Sequence, residues 1–208
     1  MEAGKIRDNN IRNNRNKHTY EESFTRGSVK VVECLTCGYK HLWPIPSRSM
    51  LEKFYKEKYF KSVYKDYSRK QTDDREFLNF TYQDKPDILC KLVGTNADKK
   101  MLEIGCGSGM FLQFCYENGW KCVGIEPSES LDRTNMKVEV PIYCEFIEKL
   151  EPSKIGKFNA VVLSGVLEHI PNPRWICKLI FDKFLLKNGI ICVEIPNDFN
   201  EFHFDQNK

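Results

Sequence analysis

Apolar positions change their spacing twice along the chain. Residues 1 to about 28, with NNIRNNRNK at their centre, carry no hydrophobic period, and such text predicts a mobile basic N-terminal tail. From Val29 the text becomes VVECLTCGYKHLWPIP, two strand-like clusters around a C-x-x-C-G turn, closed by Pro44 and Pro46. SRSMLEKFYKEKYF then reads as a helix capped by Ser47 or Ser49, with Leu51, Phe54 and Tyr55 on one face. A second helix is expected from Asp73 to Leu92. From Lys100 the chain repeats strand, turn and helix, with apolar runs at 100–104, 121–126, 140–144, 158–163 and 189–195. Helices are expected near 109–118, 128–136 and 173–185, the first closed by Asn118-Gly119 and the last opened by Pro173.

Alternating strands and helices predict an α/β fold: a doubly wound, mostly parallel sheet with a small N-terminal appendage. The expected division is a tail at 1–28, an appendage at 29–92 and the sheet domain at 93–208. At 208 residues and 41% hydrophobic, the chain is long enough for one sizeable core.

Charge adds little. The net +3 resides in the first thirty residues, where seven Lys/Arg face four Asp/Glu. No basic stripe with interleaved aromatics follows, which argues against a dedicated nucleic-acid binder. No apolar run approaches the roughly 18 residues of a membrane span, and the N-terminus has no secretory core, so a cytoplasmic protein without membrane contact is expected. Most of the nine cysteines sit in apolar runs and read as small buried hydrophobes in a reducing compartment.

Cys34 and Cys37 have metal-ligand spacing. A closed site needs four ligands, and no second C-x-x-C exists; the nearest candidates are His41 and His18. The expectation is a metal-free hairpin.

The stretch KMLEIGCGSGMFL carries the chemistry. A strand ending in glycines and leading into a helix lets a ligand approach where any Cβ would clash. The glycines are Gly105, Gly107 and Gly109, and the place of a third dinucleotide-fingerprint glycine is held by Met110. Glu103 would repel a pyrophosphate, which brings about two negative charges to such a loop. It suits a cationic ligand, such as the ammonium and sulfonium of S-adenosylmethionine.

MLEIGCGSGMFL resembles the first motif of the class I S-adenosylmethionine-dependent methyltransferases. VGIEPSE, IYCEFIEKL, FNAVVLSGVLEHIPNP and LLKNGIICVEIPNDFN resemble later motifs of that family in order, over roughly residues 85 to 200. The resemblance implies S-adenosylmethionine as cofactor and a small-molecule acceptor methylated on O, N or C. It implies that Glu103 and Gly105, Gly107 and Gly109 hold the amino-acid end of the cofactor and that Glu126 holds the ribose hydroxyls. Phe146 and Ile147 are expected to flank adenine or to serve as plain core, and Leu163 and Ser164 to offer backbone groups to the methionine end. His169 is either a general base for an acceptor that loses a proton or a cap of its turn. The N-terminal text resembles a zinc-ribbon segment found ahead of sugar and natural-product methyltransferases, with its first knuckle absent.

The family adds two strands after its fifth. Only about a dozen residues follow Ile195, so the sheet is expected to lack them and to expose an edge through which chains self-associate. The rival function is a cofactor-binding remnant or interaction module without turnover.

Overall fold

A computed structural model describes residues 18–27, 29–94, 98–129, 131 and 136–197. The chain divides into two compact units, Met1–Leu51 and Glu52–Lys208.

In the first unit, strands β1 (Tyr20–Arg26), β2 (Val29–Cys34) and β3 (Tyr39–Trp43) form an antiparallel sheet in the order β1-β2-β3. Strand β1 corrects the sequence expectation, because it lies within the stretch assigned to a tail. Its pairing to β2, from Tyr20 opposite Cys34 to Arg26 opposite Val29, supplies the order that a polar, Asn- and Arg-rich context concealed. Residues 1–17 of that tail lie outside the described residues. Gly38, at φ 76°, closes the turn between β2 and β3, and its N–H donates to Cys34 O at 2.8 Å. Burial alone would raise the Cys34 thiol, but the Cys37 N–H and the imidazoles of His41 and His18 outweigh it and bring the thiol down to about 6. Helix α1 (Arg48–Lys53) follows, and Ser47 is its cap, Oγ accepting from Met50 N at 3.1 Å.

The second unit opens with a wide-turn π-helical segment, Phe54–Val63, and three short helices: α2 (Tyr67–Asp73), α3 (Arg75–Tyr82) and α4 (Lys85–Val93). The single helix expected from 73 to 92 is thus two. Pro86 lacks an N–H and is tolerated only in a first helical turn, so α4 starts anew there.

Strand β4 (Lys100–Ile104), helix α5 (Met110–Glu117), strands β5 (Lys121–Ile125) and β6 (Ile142–Tyr143), helix α6 (Pro152–Ile155), strand β7 (Phe158–Ser164), helix α7 (Pro173–Lys183) and strand β8 (Leu185–Glu194) complete the unit. All five strands run parallel in the order β6-β5-β4-β7-β8. Central β4 is buried from Met101 to Ile104, because both its faces are covered. On one face Leu102 and Ile104 pack with Ile176, Ile180 and Phe184; on the other Met101 packs with Leu112, Cys115 and Trp120. Each such side chain contributes about 1.5–3 kcal/mol by leaving water. Asn172 caps α7, its Oδ1 accepting from Trp175 N at 3.1 Å. The helix expected at 128–136 falls largely on residues outside those described. Strand β8 starts earlier than expected, with Asn188 at φ 65° where its register shifts.

The chain runs from β4 outward to β5 and β6, then returns across β4 to β7 and β8. The strand order therefore reverses between β4 and β7, and in open α/β sheets ligands bind outside the carboxyl ends of the strands at such a point.

Candidate functional site

The loop after β4 occupies that point. Gly105, Gly107 and Gly109 have φ of 72°, 54° and 84°, a region that residues with a Cβ rarely enter, so the loop geometry itself demands glycine. The chain's own side chains also crowd in. A Cβ at Gly105 would meet Val166 Cγ2 at 2.4 Å, one at Gly107 would meet Tyr67 Oη at 2.9 Å, and one at Gly109 would meet Met136 Sδ at 2.5 Å.

Two acids flank the loop in different environments. Glu126, at the end of β5, is 6% exposed; its Oε2 accepts from Gly107 N at 3.1 Å and its Oε1 from Ser128 N at 3.0 Å. The same loop is fastened to β5 by Gly105 N and Cys106 N, which donate to Ile125 O at 2.7 and 3.1 Å. Glu103 is 5% exposed, and its Oε2 is buried without a hydrogen-bond partner. Burial pushes its carboxyl up to about 8; Lys85 opposes the rise and Glu126 adds to it.

Glu103 and Gly105 line a cavity of about 330 Å³ with Tyr67, Gln71, Tyr82, Lys85, Ser164 and Glu194. Over the loop, Ser108 Oγ donates to Gln71 Oε1, and Gln71 Nε2 donates to Tyr67 Oη at 2.8 Å. At the opposite side Lys85 Nζ donates to Glu194 Oε2 at 2.6 Å, and Ser164 Oγ donates to the same oxygen at 2.9 Å. These bonds, that of Lys85 first, hold the Glu194 carboxyl below its ordinary range. Burial lifts the Tyr82 hydroxyl to about 12, with Glu103 and Glu194 adding, and lifts Tyr67 further, so both stay neutral donors.

The remaining expected site residues are placed unevenly. Ser164 reaches the cavity, whereas the Leu163 side chain is fully buried in the core and only its backbone belongs to the strand end. Ile147 is 3% exposed and packs with the core; Phe146 is half-buried beneath Lys149 Nζ, 5.5 Å from its ring centre. His169 lies in a short turn after β7, with 43% of its side chain exposed and Nε2 4.0 Å from Glu168 Oε1. The rings of Tyr55 and Tyr59 stand 5.9 and 6.5 Å from its imidazole. Burial, with Tyr59 and Glu168 adding, raises the Tyr55 hydroxyl to about 12.

Sequence reasoning missed Tyr67, Gln71, Tyr82, Lys85 and Glu194. Tyr67 ends an aromatic run through residues 54–67, of which the sequence reading uses only Phe54 and Tyr55, as one face of a helix.

A family model described as a methyltransferase domain matches residues 74–206. The ubiquinone biosynthesis O-methyltransferase of Alkalilimnicola ehrlichii is 29% identical over 93 residues, 42% of this chain and 38% of its own length. The enzyme of that name from Psychrobacter cryohalolentis is 30% identical over 105 residues, 47% of this chain and 40% of its own length. The matched part is thus about two-fifths of these relatives' length. Among solved structures, the plantazolicin methyltransferase BpumL in complex with SAH shares the fold at a TM-score of 0.53 and 16% identity, over 69% of this chain and 56% of that one.

Proposed function

We propose, since the chain belongs to the methyltransferase domain family, that it binds S-adenosylmethionine at the loop after β4 and methylates a small-molecule acceptor. The observation that carries this reading is the buried carboxyl of Glu103, whose Oε2 has no hydrogen-bond partner, beneath a glycine loop at the switch point of a parallel sheet. A buried carboxylate is costly without a compensating charge, and the cofactor's ammonium is such a charge.

The residues fit the group. Glu103 receives the ammonium, and Gly105 and Gly107 admit the amino-acid portion. Glu126 accepts from the ribose hydroxyls; a carboxylate has acceptor sites for about four bonds, so this is compatible with its hold on Gly107 and Ser128. Phe146 borders adenine, with Ile147 as its core support, and the backbone at Leu163 and Ser164 borders the methionine end. Gly109 serves the turn that opens α5. The chemistry supplied with the cofactor is an electrophilic methyl on a sulfonium, open to in-line displacement. His169, beside Tyr55 and Tyr59, takes the proton where the acceptor must lose one, and the aromatic wall selects a flat, partly apolar acceptor. The ubiquinone biosynthesis O-methyltransferases among the relatives support a small-molecule acceptor.

Calorimetry with S-adenosylhomocysteine tests the binding step. The chain is expected to bind it in the micromolar range and to ignore NAD. Glu126→Ala removes charge-assisted bonds to ribose and is expected to cost about 2–4 kcal/mol of affinity; an unchanged Kd would overturn the ribose assignment. Methyl transfer to phenolic and sugar acceptors then separates an enzyme from a binding-only module.

A further inference from the structure

The three-stranded unit carries a second cluster, unrelated to the glycine loop. One ligand-type atom from each of His18, Cys34, Cys37 and His41 lies within 4.8 Å of all the others. We propose that these four side chains form a closed Cys2His2 site for one zinc ion, which holds the β1-β2-β3 hairpin unit together.

His18 Nδ1 lies 3.2 Å from Cys34 Sγ and 3.3 Å from Cys37 Sγ. A tetrahedral zinc with ordinary Zn–S and Zn–N lengths sets sulfur and nitrogen about 3.5 Å apart, so the metal enters with an expansion of a few tenths of an ångström. The other imidazole is already oriented. His41 Nδ1 is 2.8 Å from Leu42 O, a contact that requires the proton on Nδ1 and leaves Nε2 as the lone-pair nitrogen. That Nε2 is buried and makes no hydrogen bond of ordinary geometry, with the Cys34 thiol as its polar neighbour. An orphaned buried acceptor is costly, and a metal removes the cost.

The knuckle geometry agrees. Cys37 N donates to Cys34 Sγ at 3.3 Å, and Gly38 takes the left-handed conformation that turns the chain between the two cysteines and β3. Two thiolates and two imidazoles in a tetrahedron select zinc over hard cations, which require oxygen ligands. Four protein ligands leave no open position, so the site is structural and takes no substrate. The unit also needs a staple: among its described residues only Val32 and Cys34 are buried apolar side chains, too small a core to hold three strands unaided. The expected shortage of ligands disappears because strand pairing brings His18 and His41 to the place of a missing second knuckle.

The full chain, purified with reductant and without added metal or chelator, is expected to carry one zinc per chain by elemental mass spectrometry. X-ray absorption on that unmodified chain is expected to count two sulfur and two nitrogen ligands, a readout independent of any variant's folding. Cobalt(II) added after zinc removal is expected to give the intense visible bands of a tetrahedral thiolate site. His41→Ala is expected to weaken zinc on the order of 100-fold or more in competition with a chromophoric chelator, since even supporting residues cost 10–100-fold. Well under one zinc per chain with no cobalt bands would overturn the proposal. So would a Cys34–Cys37 disulfide whose reduction restores no metal binding, or one full zinc retained by the His18→Ala/His41→Ala double variant.

Discussion

Replacing Glu103 by Gln isolates the charge on which the cofactor reading depends. In the ligand-free chain its carboxyl lies at about 8, so at pH 7 about a tenth of the chains carry the anion and at pH 6 about a hundredth. If the ligand's ammonium requires that anion, binding releases a proton below pH 8. The Kd for S-adenosylhomocysteine should then fall about tenfold from pH 6 to pH 7 and level off above 8. The groups facing Glu103 are Lys85, Glu126, the hydroxyls of Tyr67 and Tyr82 and the thiols of Cys115 and Cys122. The hydroxyls and thiols are driven upward by burial and remain neutral over this window. Glu103→Gln should therefore flatten the profile, matching the parent near pH 6 and binding roughly 10- to 100-fold more weakly above pH 8, where a charge-assisted bond worth about 1.5–3 kcal/mol is lost.

Stability should move the other way. A carboxyl raised from 4.5 to about 8 on folding confers a stability that is fully present below 4.5 and is lost as the pH rises through 8. The loss is a few kcal/mol at most, and Gln does not suffer it. Denaturant titration of the ligand-free chains should find the variant more stable at pH 8 and little different at pH 5. Parallel pH profiles of binding for parent and variant would refute the assignment of Glu103 to the ammonium, whatever the stability result.

Gly107→Val forces a β-branched residue to φ 54° with Tyr67 Oη 2.9 Å from its Cβ; loss of measurable S-adenosylhomocysteine binding and a fall in Tm are expected, and parent-like binding would refute the demand for glycine. Strand β8 pairs only with β7 among the described residues, and Val193 and Ile195 are 40% and 57% exposed; light scattering of the full chain should show concentration-dependent self-association through this edge, and a monomer at all concentrations would refute it.

The sheet was legible because a parallel strand covered on both faces reads as an unbroken apolar run, as at AVVL. Glu103 and Glu126 were legible because each stands at a fixed distance from the glycines. Tyr67, Gln71 and Lys85 were not, since they reach the loop from helices with no sequence relation to it, and only packing brings them there. The split of the helix near residue 84 could have been read from Pro86. Strand β1 had no such mark: its pairing partner lies across a turn, and its polar setting resembles a tail. His18 was likewise visible as a residue type, but its approach to Cys34 follows from the β1-β2 register alone.

The two acids of the site show how two adjacent strand ends divide the work between them. Glu126 is satisfied before any ligand arrives, by N–H groups of the loop it fixes, so replacing it disturbs the loop as well as the ribose contact. Glu103 Oε2 has no such partner, and on the proposed reading its cost is relieved when the ligand's cation enters. Organising the loop therefore costs little at the moment of binding, and the proposed assignment reserves most of the electrostatic gain for the ligand's ammonium. A nucleotide lacking that ammonium could still find the ribose acid and the glycines, yet it would leave Glu103 Oε2 buried and partnerless. On the proposed assignment, discrimination among adenosine-containing ligands is set at β4, one strand away from the acid proposed to hold the ribose.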